Sequence, residues 1–165
     1  MNQLRKFDIS FNGLQTGSYF YEYEIDNRFF ESFEYSEIQE GAVNVKLDLL
    51  KNENMLILTF TIKGHVKVTC DRCLNLFDHT IKNKQKYFVK FGTEFNDEIE
   101  DTLVIPEKEN KINIGHLIYE YIILSLPIKR VHSTLKECNI KKTIVKKKST
   151  QETDPRWDIL KTLKK

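Results

Sequence analysis

Cys70 and Cys73 bracket Asp71-Arg72 in the run Val66-Lys-Val-Thr-Cys-Asp-Arg-Cys-Leu74. Two thiolates at this spacing can reach one metal ion, and such a pair is half of a tetrahedral site. His132 and Cys138, six residues apart and far along the chain, supply a candidate second half. A Cys-x-x-Cys knuckle joined by a histidine and a third cysteine would close a zinc site of three sulfurs and one nitrogen. Four protein ligands leave no position for water, so the metal on this reading is structural. The residue types admit two other readings. Cysteine is often a small buried hydrophobe, and a single histidine is often a plain surface or core residue. A redox Cys-x-x-Cys is the other, and it fits less well, because this pair caps a strand-to-strand turn and not the helix N-terminus that would lower a thiol pKa.

The elements that must carry these residues are legible as alternation. Val66, Val68 and Cys70 fall on one side of an extended chain, so the first cysteine points inward. They end a long strand, Met55 to Thr69, with Leu56, Leu58, Phe60 and Ile62 on the same face and Thr59, Thr61, Lys63, His65 and Lys67 on the other. Val43, Val45, Leu47 and Leu49 form its hairpin partner across the turn at 51–54. Gly64 interrupts the run and reads as a bulge or bend. Phe77, His79, Ile81, Tyr87, Val89 and Phe91 predict a further long strand returning antiparallel, which puts the cysteine pair at the tip between two long strands.

Earlier in the chain, Leu4 to Leu14 reads as an opening strand and 18–25 as a second, aromatic-rich one, while 27–40 allows a short helix or an irregular link. Gly92 to Lys111 is acidic and reads as a loop carrying one short strand at Leu103-Val-Ile105. None of its carboxylates is paired with a nucleophile or set by a repeat, so a solvated loop is the reading for them. Ile112 to Leu126 switches to helical period, with Asn113 as cap, Ile114, Leu117, Ile118, Tyr121, Ile122 and Leu124 on an apolar stripe, His116 and Glu120 facing solvent, and Pro127 as the stop.

Composition bounds the function classes. The 165 residues, 40% hydrophobic and 30% charged, suit one domain with a single core. No apolar run approaches the ~20 residues that span a bilayer, and the first residues lack the apolar core of a secretory signal, which predicts a cytoplasmic protein with no membrane partner. Three cysteines make no disulfide framework and in a reducing compartment remain thiols. Net charge is only +2, but the first 60 residues are acidic and the rest basic, an asymmetry compatible with a polyanionic partner and equally with a plain solvated surface.

Beyond Cys138, the segment 136–150 carries six lysines and a single acid. It reads as a mobile basic linker, with Lys141, Lys142, Lys146, Lys147 and Lys148 able to attract phosphate; Arg72, Lys63 and Lys67 could extend that surface. A solvated linker is the plainer alternative. Asp154-Pro155 then opens a short helix in which Trp157, Leu160 and Leu163 recur at three-residue spacing, a stripe that docks on the core or anchors a partner.

Cys70-Asp-Arg-Cys73-Leu74, a helix ending Leu126-Pro127, Val131-His132 with Cys138, and the terminal Asp154-Pro-Arg-Trp157-Asp-Ile-Leu160-Lys-Thr-Leu163 occur together in one order. In that order they resemble the YceD family, the large ribosomal RNA subunit accumulation proteins, over about residues 43–165. The resemblance implies a role in accumulation of large-subunit ribosomal RNA and a link to a large-subunit ribosomal protein. Some relatives of similar pattern place a cysteine where this chain has His132 and add cysteines after the one matching Cys138. This chain has none there, which makes His132 the natural fourth ligand.

The expected architecture is α+β: a mainly antiparallel sheet with one long helix packed on it, a Cys/His knuckle and a short C-terminal helix. Residues 1–140 form the domain, 141–153 the basic linker and 154–165 the terminal helical segment. The expected function is a ribosome biogenesis factor acting on 23S ribosomal RNA or its precursor by binding, with no catalysis and no small-molecule substrate. No Ser/His/Asp or Cys/His constellation with an orienting base, no phosphate loop and no paired carboxylate stands out. Two rival readings are a metal-dependent nuclease acting on precursor ribosomal RNA, and an adaptor that binds a ribosomal protein without touching RNA.

Overall fold

The computed structural model of the protein describes residues 3–92, 96–99, 102–106, 108–133 and 138. The hydrophobic alternation builds its centre. Strands β2 (Gly17–Ile25), β3 (Gly41–Lys51), β4 (Met55–Thr69) and β5 (Leu76–Gly92) pair antiparallel in sequence order. The even-numbered apolar residues of β4 and the odd-numbered ones of β3 share the inner face, where Val45, Leu47, Leu56, Leu58, Phe60 and Ile62 are buried. Burying so many branched and aromatic side chains on one face is the main force holding these strands in register.

Against that inner face lies a second layer. A 3-10 turn (Gln3–Phe7), strand β1 (Asp8–Ser10), helix α1 (Asn27–Glu31), strand β8 (Lys111–Asn113) and helix α2 (Gly115–Leu124) contribute Phe7, Ile9, Phe29, Phe30, Ile112, Ile118 and Ile122 to the same core, with Ile114 between β8 and α2. Phe7 packs on Tyr23 and Phe29, Phe11 on Phe91, and Tyr121 on Phe60. The result is an α+β domain dominated by an antiparallel sheet. Among the described residues no helix is long and apolar enough to cross a membrane.

Several expectations are corrected. The opening strand shrinks to β1, because residues 3–7 coil into the 3-10 turn, and β1 pairs with β8 in a separate two-stranded sheet. The helix after the acidic region starts at Gly115 and ends at Leu124, so it has ten residues and runs about 15 Å. It is shorter than the long helix predicted, since 111–113 are drawn into β8, and Leu124, expected on the apolar stripe, is exposed at its last position. The cap position falls on Ile114, which makes no side-chain cap hydrogen bond, and not on Asn113. Asn113, one residue earlier, ties the start in another way, its Oδ1 accepting from the Gly115 amide at 2.9 Å and its Nδ2 donating to Leu4 O and Asp8 Oδ1.

In the 92–111 region the structure has two strands of the main sheet where one was expected in a loop. β6 (Asn96–Ile99) lies at the edge, and β7 (Thr102–Pro106) inserts between it and β5, running parallel to β5. Gly64 is no bulge, since pairing continues through it to Val43 on one side and Ile81 on the other. It is there for close approach: a Cβ on Gly64 would fall 2.3 Å from the Ala42 carbonyl oxygen. The predicted basic linker and terminal helix at 141–165 lie outside the described residues.

Candidate metal centre

Strand β4 delivers Cys70 to the inner face directly after Val66 and Val68, and all three are buried. The link to β5 is tight. The Cys70 amide donates to Asn75 O at 2.9 Å and the Leu74 amide to Cys70 O at 2.9 Å. Closing this turn puts Leu74 in the left-handed region at φ 62°, an unfavourable conformation for a branched side chain. It also folds Cys73 back beside Cys70.

The second half arrives from beyond α2. Asp71 meets Arg130 twice: the Asp71 amide donates to Arg130 O at 2.7 Å, and the Arg130 amide donates to Asp71 Oδ2 at 2.6 Å. The Arg130 guanidinium pairs with Glu37 at 2.8 Å. This pair of hydrogen bonds to the knuckle sets down Val131 and His132 next to the cysteines. The imidazole lies against the Phe77 ring, with centroids 4.7 Å apart, which restricts its rotation.

The four predicted ligand side chains converge, with their donor atoms all within 4.8 Å of one another. Cys70 Sγ lies 3.7 Å from Cys138 Sγ, and His132 Nδ1 lies 3.6 Å from Cys73 Sγ and 3.3 Å from Cys138 Sγ. Zinc bond lengths of about 2.3 Å to sulfur and 2.0–2.1 Å to nitrogen give tetrahedron edges of about 3.8 Å between sulfurs and about 3.6 Å between sulfur and nitrogen. These three separations are close to the edges of that tetrahedron. The three cysteines are free thiols, at a spacing far beyond the ~2 Å of a disulfide.

The electrostatics suit a bound cation. Burial pushes the Cys70 thiol up, but the amides of Arg72, Cys73 and His132 and the His132 imidazole outweigh it and bring its pKa down to about 5. Cys138 moves the other way: burial, then hydrogen bonds to and the charges of Cys70 and Cys73, raise its pKa. Crowded thiols cannot all ionise without a compensating positive charge. Three thiolates around a divalent ion leave one net negative charge, and Arg72 Nη1 stands 3.8 Å from Cys138 Sγ to offset it.

Among the described residues this is the one group of three or more His, Cys, Asp or Glu side chains gathered at metal-holding distance. His116 and Glu120 are exposed, as expected. Arg72, predicted to contact RNA, has its guanidinium turned to the sulfur cluster. Lys141, Lys142, Lys146, Lys147 and Lys148, and the stripe Trp157, Leu160 and Leu163, lie outside the described residues. Sequence reasoning missed Asp71, Arg130 and Phe77, the residues that position the second pair. Asp71, set between the cysteines, carried a signal as a turn residue able to accept backbone hydrogen bonds.

Neither a curated protein nor a solved structure matches the chain. The family model described as "Large ribosomal RNA subunit accumulation protein YceD" matches residues 58–164, well over half of the length and including all four converging side chains. The chain therefore belongs to the YceD family.

Proposed function

We propose that this protein is a cytoplasmic ribosome biogenesis factor that supports accumulation or maturation of 23S ribosomal RNA by binding, with zinc as a structural element. Family membership carries the ribosomal part of this reading. The donor set supports the rest: three sulfurs and one imidazole nitrogen gathered within 4.8 Å of one another would give a metal a closed four-ligand shell, with no open corner where a water would be activated.

Bound zinc would cross-link the β4–β5 tip to the chain leaving α2. Cys70 and Cys73 would hold it from the knuckle, Cys138 from the far segment, and His132 through Nδ1, which would leave the ring proton on Nε2. Asp71 and Arg130 align the two backbones, Phe77 fixes the imidazole plane and Arg72 balances the excess thiolate charge. The residues thus build a rigid platform, and none of these roles moves a proton or bond in a substrate.

The test is replacement of the natural copy by a Cys73→Ser variant, with large- and small-subunit ribosomal RNA quantified and the protein crosslinked in cells. The reading expects crosslinks to large-subunit ribosomal RNA from the unaltered protein and a fall in that RNA relative to the small-subunit RNA in the variant. Recovery of a ribosomal protein without RNA would replace binding of RNA by an adaptor role. Hydrolysis of precursor RNA by the purified protein, lost on altering Cys70, would establish the nuclease reading instead.

A further inference from the structure

The sheet has a second face, turned away from the core, and its charge is strongly segregated. On β4 this face carries Thr59, Thr61, Lys63, His65 and Lys67, and on β5 it carries Asp78, Thr80, Lys82, Lys84, Lys86, Phe88 and Lys90. That makes six lysines against one acid. The corresponding positions of β2, at the sheet's far edge, include Glu22 and Glu24. The acidic first third of the sequence and its basic remainder therefore become two ends of one surface.

Lys63, Lys82, Lys84, Lys86 and Lys90 are all exposed, and among the described residues none of them is in an ion pair. Lys46 and Lys67, by contrast, are paired with Glu22 and Glu40. Lys82, Lys84 and Lys86 occupy alternate positions of one strand, so neighbours stand about 7 Å apart. Lys63 is the direct cross-strand partner of Lys82. Like charges set directly opposite one another disfavour the sheet, so this cluster weakens the fold that displays it. A ligand carrying regularly spaced negative charge would relieve that repulsion. Thr59 and Thr61, cross-strand partners of Lys86 and Lys84, add hydroxyl donors between the charges.

We infer that the outer face of β4 and β5, centred on Lys63, Lys82, Lys84 and Lys86, is a docking surface for the phosphate backbone of RNA. The identity of the ligand rests on the binding function proposed above; the surface itself rests on the charge pattern. Contacts of this kind carry no base information, so the face sets affinity and orientation and does not select sequence.

The test uses the full-length, metal-loaded protein and fluorescence anisotropy with two probes, a single-stranded fragment of large-subunit ribosomal RNA and poly(U). The triple variant Lys82→Gln/Lys84→Gln/Lys86→Gln is expected to bind both probes at least tenfold more weakly. Its plot of log affinity against log salt should be shallower by about 2, since each lost phosphate contact on a single strand removes ~0.7 from the slope. The matching triple lysine-to-arginine variant should keep both affinity and slope. Circular dichroism and metal content establish that each variant is folded.

Binding by the unaltered protein with affinity and slope unchanged in the glutamine variant overturns the assignment of this face and leaves the binding function standing. No binding of either probe by the unaltered protein overturns both. Lysine-dependent binding to anionic phosphatidylserine vesicles, without RNA binding, assigns the face to a membrane surface and overturns the inference.

Discussion

Asp71 and Arg130 hold each other through two backbone-centred hydrogen bonds, one in each direction, at 2.7 and 2.6 Å. This contact joins the cysteine turn to the segment bearing His132 without involving any of the four clustered side chains. It therefore joins the two halves of the site through contacts of its own. Asp71→Ala removes the side-chain acceptor and leaves the Arg130 amide without it. Zinc affinity, measured by competition with a chromophoric chelator, is expected to fall about tenfold, in the range usual for loss of a group that orients a ligand. An affinity equal to that of the unaltered protein would show that the clasp forms only as a consequence of other packing.

His132 is the single nitrogen among three sulfurs, its Nδ1 3.6 Å from Cys73 Sγ and 3.3 Å from Cys138 Sγ. His132→Cys is expected to retain about one zinc per chain in an all-sulfur site, and its cobalt-substituted form should show stronger sulfur-to-metal charge-transfer absorption. His132→Ala should lose affinity by more than the ~100-fold upper range of outer-group losses, with a lower Tm that added zinc does not restore. If the alanine variant held metal as tightly as the unaltered protein, the imidazole would not be a ligand.

The strands are legible because their sequence period is two and their inner face is apolar: alternation alone points Val66, Val68 and Cys70 inward, and they are buried. The convergence of Cys70 and Cys73 with His132 and Cys138 was legible only as residue types suited to one ion, since the Asp71–Arg130 contact that joins them spans 59 positions. The start of α2 is not legible because Lys111–Asn113 carries no local sign that β1 will claim it as a strand partner. The place of β7 in the main sheet was hidden for a similar reason. Leu103-Val-Ile105 is short and apolar, and its position between β5 and β6 is decided by parallel pairing that no hairpin turn announces.

Gly64 lies where β3 and β4 come too close for any side chain: a Cβ would be 2.3 Å from Ala42 O and 2.6 Å from Val43 Cα. Both neighbours are backbone, so neither can rotate away. Gly64→Ala is expected to destabilise the protein by about 1–3 kcal/mol, read as a lower urea midpoint with an unchanged m-value. Because β4 runs on from Gly64 to the turn that holds Cys70, the altered strand spacing should also weaken zinc binding. A midpoint within error of the original would mean that the two strands part without cost at this point.

Asp8 links the two-stranded sheet to the start of α2. Asn113 Nδ2 donates to its Oδ1 at 2.6 Å and Lys111 Nζ to its Oδ2 at 3.2 Å. These two hydrogen bonds, Asn113 first, hold its pKa below the ordinary 3.8. Folding therefore favours the charged carboxylate. Its contribution to stability is complete above pH 3.8 and fades as the pH falls through the lower, folded value. Asp8→Asn cannot titrate, so its thermal stability should decline less steeply than that of the unaltered protein below about pH 4, and should be lower than the original near neutrality. The effect is small, because Lys111 is largely exposed to solvent and the pair is screened. Differential scanning calorimetry of the two proteins at pH 7 and through the acid range reads it directly. Parallel declines would mean that the carboxylate gains nothing from Asn113 that water does not already provide.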